Sequence, residues 1–385
     1  MVTLRTIVCS SWILLAVSLI SAQQPPAPPG LACSGGIGTG LSTNWSQSRF
    51  DSAHSACNPY EHVLSPTTVS NLVPDWSYQT GDGVWSSLAV VNGIVYAGSE
   101  DRRLYALDAR TGTLLWNFST GYIVNSSPAV ANGIVYFGSG DENVYALNAR
   151  TGVLLWTYHT NGEVLSSPTV TNGVVYVGSR DKNLYALDAA TGTLLWSFAA
   201  VGEIYSSPAV ANGAVYFGAD GVYAVNAASG ALIWKYATDT IATSAAVANG
   251  TVYIGDNTGI FYALNASTGA LSWKYTTGFA IEDSPAVANG TVYIGSDDRN
   301  VYALNASTGA LVWQYPTTNS VWSSPVVANG VVYVGSVDDL YALDASKGAL
   351  LWHPGINLVT SSVTVVNGTL YFGAPDRKVY AYHLP

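Results

Sequence analysis

"SSPAVANGIVYFGSGDENVYALNARTGVLLW", residues 126–156, is followed forty residues on by "SSPTVTNGVVYVGSRDKNLYALDAATGTLLW", residues 166–196, and near-copies continue to the C-terminus. Asn-Gly, one further residue, then Val or Leu and Tyr recur eight times, with the Asn at 92, 132, 172, 212, 249, 289, 329 and 367. A period near 40 residues in a β-rich composition predicts propeller blades. Within one unit, "SPAVA" and "IVYFGS" are short β-branched and aromatic runs joined through Ala-Asn-Gly, the strongest local hairpin signal because Asn and Gly both tolerate positive φ. "NVYALNA" and "LLWTYHT" follow, joined through "ARTG", so each repeat reads as a four-stranded meander. The strands are apolar on both faces, as in a sheet covered on either side by neighbouring blades.

The two ends of the chain predict a closed ring. The fourth strands carry Trp76, Trp116, Trp156, Trp196, Trp234, Trp273, Trp313 and Trp352, but Trp76 has no three strands before it. The last unit, conversely, stops after its third strand at "VYAYHLP". "VPDWSYQT" can therefore complete the last blade and remove both sheet edges, which predicts an all-β, eight-bladed propeller over residues 64–385. Ahead of it, "LSPTTVSNL" reads as a short helix with Ser65 as N-cap and Pro66 in its first position.

Upstream, Arg5, the apolar stretch from Ile7 to Ile20 and "SLISA" predict a secretory signal over residues 1–22, a retained anchor being the alternative. "QQPPAPPG" opens a Pro-rich spacer, and residues 23–63 form an N-terminal segment. An even pair, Cys33 and Cys57, in an exported chain predicts one disulfide closing that segment, with two free thiols as the alternative. Removal of Arg5 leaves 13 basic against 24 acidic residues, a net charge of −11 that argues against nucleic acid. No later apolar run reaches the roughly 18–20 residues of a membrane helix, so a secreted or periplasmic chain, monomeric and without a membrane span, is expected. The five histidines show no metal spacing, and His54 and His62 read as surface residues. Eight Asn-x-Ser/Thr sequons, among them Asn44, Asn117 and Asn305, matter only in a host that glycosylates.

The phrase Ala-x-Asp/Asn-x-x-Thr/Ser-Gly-x-x-x-Trp, as in Ala106, Asp108, Gly112 and Trp116 or Ala186, Asp188, Gly192 and Trp196, resembles the tryptophan-docking motif of the quinoprotein, or PQQ-like repeat, eight-bladed propellers. It recurs in seven blades, with Lys347 the one departure from Thr/Ser. The resemblance implies that the eight Trp residues, from Trp76 to Trp352, form a girdle locking the ring, a structural role that a large rigid aromatic suits. Acids in the second turn of each blade, Asp101, Asp141, Asp181, Asp298 and Asp376, read as turn chemistry, because an acid repeated in every blade does not make eight active sites.

A specific function is expected where the repeat is broken. The residue ahead of the innermost strand's Ser-Ser-Pro reads Trp85, Asn125, Leu165, Tyr205, Ala242, Glu282, Trp322 and Thr360, while its predecessor is always Val or Ile. Strand alternation sends the constant residue between blades and the variable one to the channel mouth. Trp85, Asn125, Tyr205, Glu282 and Trp322 are thus the candidate ligand or cofactor residues, an aromatic-rich ring with polar groups of the kind small-molecule sites use, the alternative being that they plug the channel with water bonding the polar ones. Glu163 and Glu203 add negative potential at the rim.

Two function classes follow. The first is a non-catalytic exported module holding a protein, glycan or small molecule at the mouth or blade loops. The resemblance extends this class to the propeller that scaffolds outer-membrane barrel assembly, although no lipobox is present. The second is a dehydrogenase of alcohols or sugars, for which the resemblance implies PQQ, calcium held by carboxylate and amide oxygens, and an Asp base. Glu282 and Asn125 are the right residue types but come from opposite sides of the ring, and no Asp stands in the column, although Asp283 is adjacent and Asp239 nearby. Blades almost free of insertions and the lack of adjacent cysteines favour the first.

Overall fold

The computed structural model describes residues 44–385 except 242, 357, 358 and 360. The expected signal sequence, the Pro-rich stretch and Cys33 lie outside the described residues.

Eight antiparallel four-stranded sheets, each ordered as a meander, form the ring. Blade 1 comprises Ala89–Val91, Ile94–Ser99, Arg103–Asp108 and Leu114–Ser119. Blades 2 to 7 repeat it, ending with Leu350–Trp352. Blade 8 joins the chain's ends as expected: Val73–Gln79 pairs antiparallel with Lys378–His383, with Trp76 opposite Ala381. The Asn of every Asn-Gly turn has φ between 43° and 52°, which is why that pair of residues repeats. Second and third strands are buried on both faces, whereas fourth strands alternate exposed and half-buried residues. Each pairing of third and fourth strand carries a register shift beside the Trp, which twists the outermost edge away from further pairing.

The Trp girdle is built from shared acceptors. Trp116 Nε1 and Tyr96 Oη, both of blade 1, donate to one carbonyl of blade 2, Ala149 O, at 3.1 and 3.0 Å. The same pairing recurs from blade to blade. Trp156 and Tyr136 share Ala189 O, and Trp196 and Tyr176 share Ala227 O. Trp234 and Tyr216 meet at Ala266 O, Trp273 and Tyr253 at Ala306 O, and Trp313 and Tyr293 at Ala345 O. Trp76 and Tyr371 close the circle at Ala109 O. The Gly of the motif lies beneath the indole: a Cβ at Gly152 would stand 2.8 Å from the Trp116 ring.

Trp352 of blade 7 makes no such shared bond among the described residues. Trp352 packs edge-on against Tyr382, with centroids 5.6 Å apart, and the buried Tyr333 hydroxyl has no partner among the described residues.

The Ser-Ser-Pro signature has a mechanical reading as well. The first Ser clamps the second strand, as when Ser86 Oγ donates to Gly98 O at 3.0 Å and accepts from Gly98 N at 2.9 Å. The second Ser links blades: Ser87 N donates to Ser127 Oγ, Ser127 N to Ser167 Oγ, and so on round to Ser284 N and Ser324 Oγ.

Residues 44–58 are not an outlying spacer. They circle once inside the channel and bond the middle residue of every innermost strand. Trp45 pairs with Val90 in blade 1; Ser46 O, the Gln47 side-chain Oε1, Ser52 O, Ala53 O, Ser55 O and Ala56 O accept from Val130, Val170, Val210, Val247, Val287 and Val327 N. Asn58 Nδ2 completes the circuit on Val365 O of blade 8 at 2.8 Å. Cys57–Asn58 forms a short parallel strand on Val326–Ala328. Innermost strands have a free edge toward the axis, and this segment satisfies one backbone group on each. Cys57 is disulfide-bonded, and its expected partner Cys33 lies outside the described residues. Glu61, also buried, ties the next stretch to the last blade by accepting from Gly368 N at 3.0 Å.

Two local expectations change. The short helix is a turn closed by Ser65 O, which accepts from Thr68 N and Val69 N, followed by one 3-10 turn at Val69–Asn71; Ser65 Oγ meets the Thr67 and Thr68 hydroxyls rather than a backbone N–H. His54 is fully buried, since the encircling segment carries it into the channel; His62 is exposed.

Candidate functional site

The encircling segment divides the channel into two unequal ends. On the Asn-Gly side it floors a recess of about 910 Å³ against the turns of blades 1 to 3. The other end is the mouth built by the loops entering the innermost strands. There the constant Val84, Val124, Val164, Ile204, Ile241, Ile281, Val321 and Val359 are all buried between blades. Their variable neighbours point the other way: Trp85, Tyr205, Glu282 and Trp322 are exposed, and Asn125 and Leu165 are half-buried. Ala242 and Thr360 lie outside the described residues.

Ring geometry brings to these residues a second variable position, the one after the Gly-Ser that ends the second strand. It holds Glu100, Arg180 and Asp297, each 25 residues before a residue of the first column. Asn125 Nδ2 approaches Glu100 Oε1 at 3.4 Å, and Trp322 Nε1 donates to Asp297 Oδ1 at 2.9 Å. Arg180 is held by Glu163 and Glu203, with Nε 3.0 Å from Glu203, and its guanidinium lies 5.4 Å from the centre of the Tyr205 ring. The mouth therefore has three kinds of sector: an amide with a carboxylate, an aromatic with a satisfied ion cluster, and an aromatic with carboxylates.

The last of these sectors is where the repeat breaks most deeply. Seven blades place Ser or Thr at the clamp position; blade 6 places Asp283. It is 2% exposed, and its Oδ2 has no partner among the described residues. Burial, then the Asp297 charge, raises its carboxyl well above the usual carboxylate range, against the pull of Arg49. Arg49 rises from the encircling segment, 5% exposed, and donates from Nη2 to Pro285 O. Burial lowers its guanidinium to about 9, with Asp283 and Asp51 opposing that shift. Glu282, beside Asp283 but at the surface, is raised by partial burial and by Asp297.

The repeated turn acids are engaged in the turns themselves. Asp101 Oδ2 accepts from Gly81 N and Tyr105 Oη, Asp141 from Gly121 N and Tyr145 Oη, and Asp298 from Gly278 N and Tyr302 Oη.

The residues present do not fit the calcium that the family resemblance implies. Asn125 and Glu282 stand on blades 2 and 6, half a ring apart, and each faces a carboxylate of its own sector. No group of three His, Cys, Asp or Glu among the described residues is placed to hold a metal ion.

Comparison with known proteins agrees with the fold. The family model described as outer membrane protein assembly factor BamB matches residues 45–169, 162–280, 218–319 and 277–384. Comparison with the curated proteins gave no match. Among solved structures, the quinohemoprotein alcohol dehydrogenase ADHIIG from Pseudomonas putida HK5 superposes with a TM-score of 0.79 at 18% identity, over 89% of this chain and 80% of that one. BamB from Moraxella catarrhalis gives 0.71 at 18% identity, over 81% and 99%. The computationally designed Ika8 protein gives 0.73 at 19% identity, over 80% and 99%. Likeness at this identity establishes the architecture, which an enzyme, an assembly factor and a designed chain share. With the family model spanning nearly all of the ring, the chain belongs to the PQQ-like repeat propeller family that includes the outer membrane protein assembly factor BamB.

Proposed function

We propose that this chain is an exported, non-catalytic binding module that takes a protein partner at the channel mouth. One observation carries the reading. The encircling segment bonds all eight blades and occupies the channel, so the mouth is a rigid, one-sided platform with exposed Trp85, Tyr205 and Trp322. Exposed aromatics on a rigid frame are the side chains that anchor protein interfaces. A role in envelope assembly is favoured within this reading by the family description and by the likeness to the BamB structure. The export signal expected from the sequence is compatible with it, as is the lack, among the described residues, of any helix long and apolar enough to cross a membrane.

The test is a photo-crosslinking residue placed at 322 on the mouth and, separately, at 150 on the opposite face, in cells that export the protein. A discrete adduct from 322 and none from 150 is expected; adducts from 150 alone would overturn the reading. A parallel titration of the mature protein with PQQ and calcium, followed by calorimetry and dye reduction with alcohols and sugars, tests the dehydrogenase alternative. Saturable binding with turnover, lost in Glu282→Gln, would establish that alternative instead.

A further inference from the structure

The mouth already shows how it holds a cation. Arg180 is a guanidinium of the chain itself, gripped by the carboxylates of Glu163 and Glu203 and lying over the Tyr205 ring. The sector at blades 6 and 7 has the same kinds of group: Trp322, 41% exposed, donates from Nε1 to Asp297 Oδ1 at 2.9 Å, and Glu282 is near enough to Asp297 for that charge to act on it. Here, among the described residues, no Lys, Arg or His lies within ion-pair distance of either carboxylate. Beneath them a third carboxyl, Asp283, is buried with an unpartnered Oδ2 at the one clamp position that departs from Ser/Thr. Arg49 faces Asp283 from below, but neither surface carboxylate, Glu282 or Asp297, has a counter-ion among the described residues; two like charges so placed raise one another's energy, and an arriving cation relieves that repulsion.

We propose that the sector formed by Trp322, Glu282 and Asp297 receives an arginine or lysine side chain from a basic segment of the protein partner. The inference rests on the mouth reading and deepens it by naming the partner's charge. The arriving cation takes the place that Arg180 fills in its own sector, stacked on the aromatic face and paired with two carboxylates. Arg49 does not fill it, because that guanidinium is buried below the mouth, bonded to Pro285 O and facing Asp51 and Asp283. Phe279, 67% exposed on the loop that enters blade 6, supplies apolar contact area for the rest of the segment. Arg299, two residues beyond Asp297 in the same turn, is exposed and forms no ion pair with Asp297 or Glu282 among the described residues.

The test uses the mature protein and three peptides of equal length, (Gly-Arg)4, (Gly-Glu)4 and (Gly-Gln)4, titrated calorimetrically at low and high salt. The arginine peptide is expected to bind at least tenfold more tightly than the other two, and to weaken about tenfold on raising salt from roughly 50 to 500 mM. Glu282→Gln with Asp297→Asn should remove most of that preference, and Trp322→Leu should weaken binding several-fold. Circular dichroism of the variants checks that the ring is intact, and Glu163→Gln at the satisfied sector, with a smaller effect, serves as the surface control. Equal binding of all three peptides, preference for the acidic one, or no binding of the arginine peptide would overturn the inference. Crosslinking from position 322 to a partner through a neutral or acidic segment would do the same while leaving the mouth reading standing.

Discussion

Trp45 and Val90 exchange both of their backbone hydrogen bonds, at 2.8 and 2.9 Å, and so fix the start of the encircling segment to the innermost strand of blade 1. The indole is 1% exposed and meets Phe50 edge-on at 5.1 Å, inside the largest apolar cluster of the molecule. Trp45→Ala should lower stability by about 3–5 kcal/mol, as truncation of a buried aromatic does. Equilibrium denaturation in urea checks this, and a loss under about 1 kcal/mol would show that the ring stands without its encircling segment.

Tyr333 offers the opposite sign. Equivalent tyrosines such as Tyr96 and Tyr136 each donate to a backbone carbonyl of the next blade, whereas the Tyr333 hydroxyl is buried without a partner among the described residues. Removing a satisfied hydroxyl costs about 1 kcal/mol, and removing an unsatisfied buried one costs nothing or stabilises. Tyr333→Phe should therefore be neutral or stabilising while Tyr96→Phe destabilises, with thermal midpoints moving accordingly. Equal losses in both would mean that Tyr333 finds a partner, such as an ordered water.

Gly152 and Gly133 separate backbone strain from Trp docking. Both have positive φ, 70° and 77°, so alanine is strained at either position. A Cβ at Gly133 meets nothing within 4 Å, but at Gly152 it would stand 2.8 Å from the Trp116 ring. Gly133→Ala should cost about 1 kcal/mol, and Gly152→Ala roughly 1–2 kcal/mol more as the indole is pushed off its seat. Chemical denaturation of both variants measures the difference, and similar losses for the two would show that the girdle yields easily.

The blades were legible because strand and turn chemistry repeat with the fold: Asn-Gly hairpins, the docking Gly and the Trp recur at a fixed distance. Closure could be read from Trp76, a fourth-strand residue with no three strands before it. Trp116, Trp156, Trp196, Trp234, Trp273 and Trp313 follow one rule because each has a complete blade after it, and Trp352 departs from the rule because its neighbour is made from both chain ends. The encircling segment was not legible for a physical reason. "WSQSRFDSAHSACN" contacts the blades mostly through its backbone, roughly one residue per blade, so its side chains carry no period; only buried Trp45 and Phe50 in a polar stretch hint at it. The mouth was half legible. Alternation separated Val84 from Trp85, but the partners Glu100, Arg180 and Asp297 belong to the preceding blade and become neighbours only through the ring. Their constant 25-residue offset from Asn125, Tyr205 and Trp322 was the signal available.

His54 gives the encircling segment a signature in pH. Its ring is fully buried, with Nε2 2.8 Å from Thr169 Oγ1. Burial, then the Arg49 charge, lowers it to about 3. The unfolded chain takes up that proton near about 6.5. Between these two values the unfolded state thus binds more protons than the native one, so stability falls with decreasing pH, by up to roughly 1.4 kcal/mol per unit. The buried carboxyls of Asp51 and Asp283, raised by burial, act in the other direction: the native state keeps protons that the unfolded chain releases above about 3.9, and their contribution falls as pH rises. Only the histidine contribution vanishes in His54→Gln, whose amide can still reach Thr169. Urea denaturation at pH values of roughly 6.5, 5.5 and 4.5 should show the variant gaining on the wild type by about 1 kcal/mol over the first step and about 1.4 over the second. Parallel stability curves would mean that His54 is protonated inside the channel, and with it that the segment opens to water far more readily than its bonds to all eight blades allow.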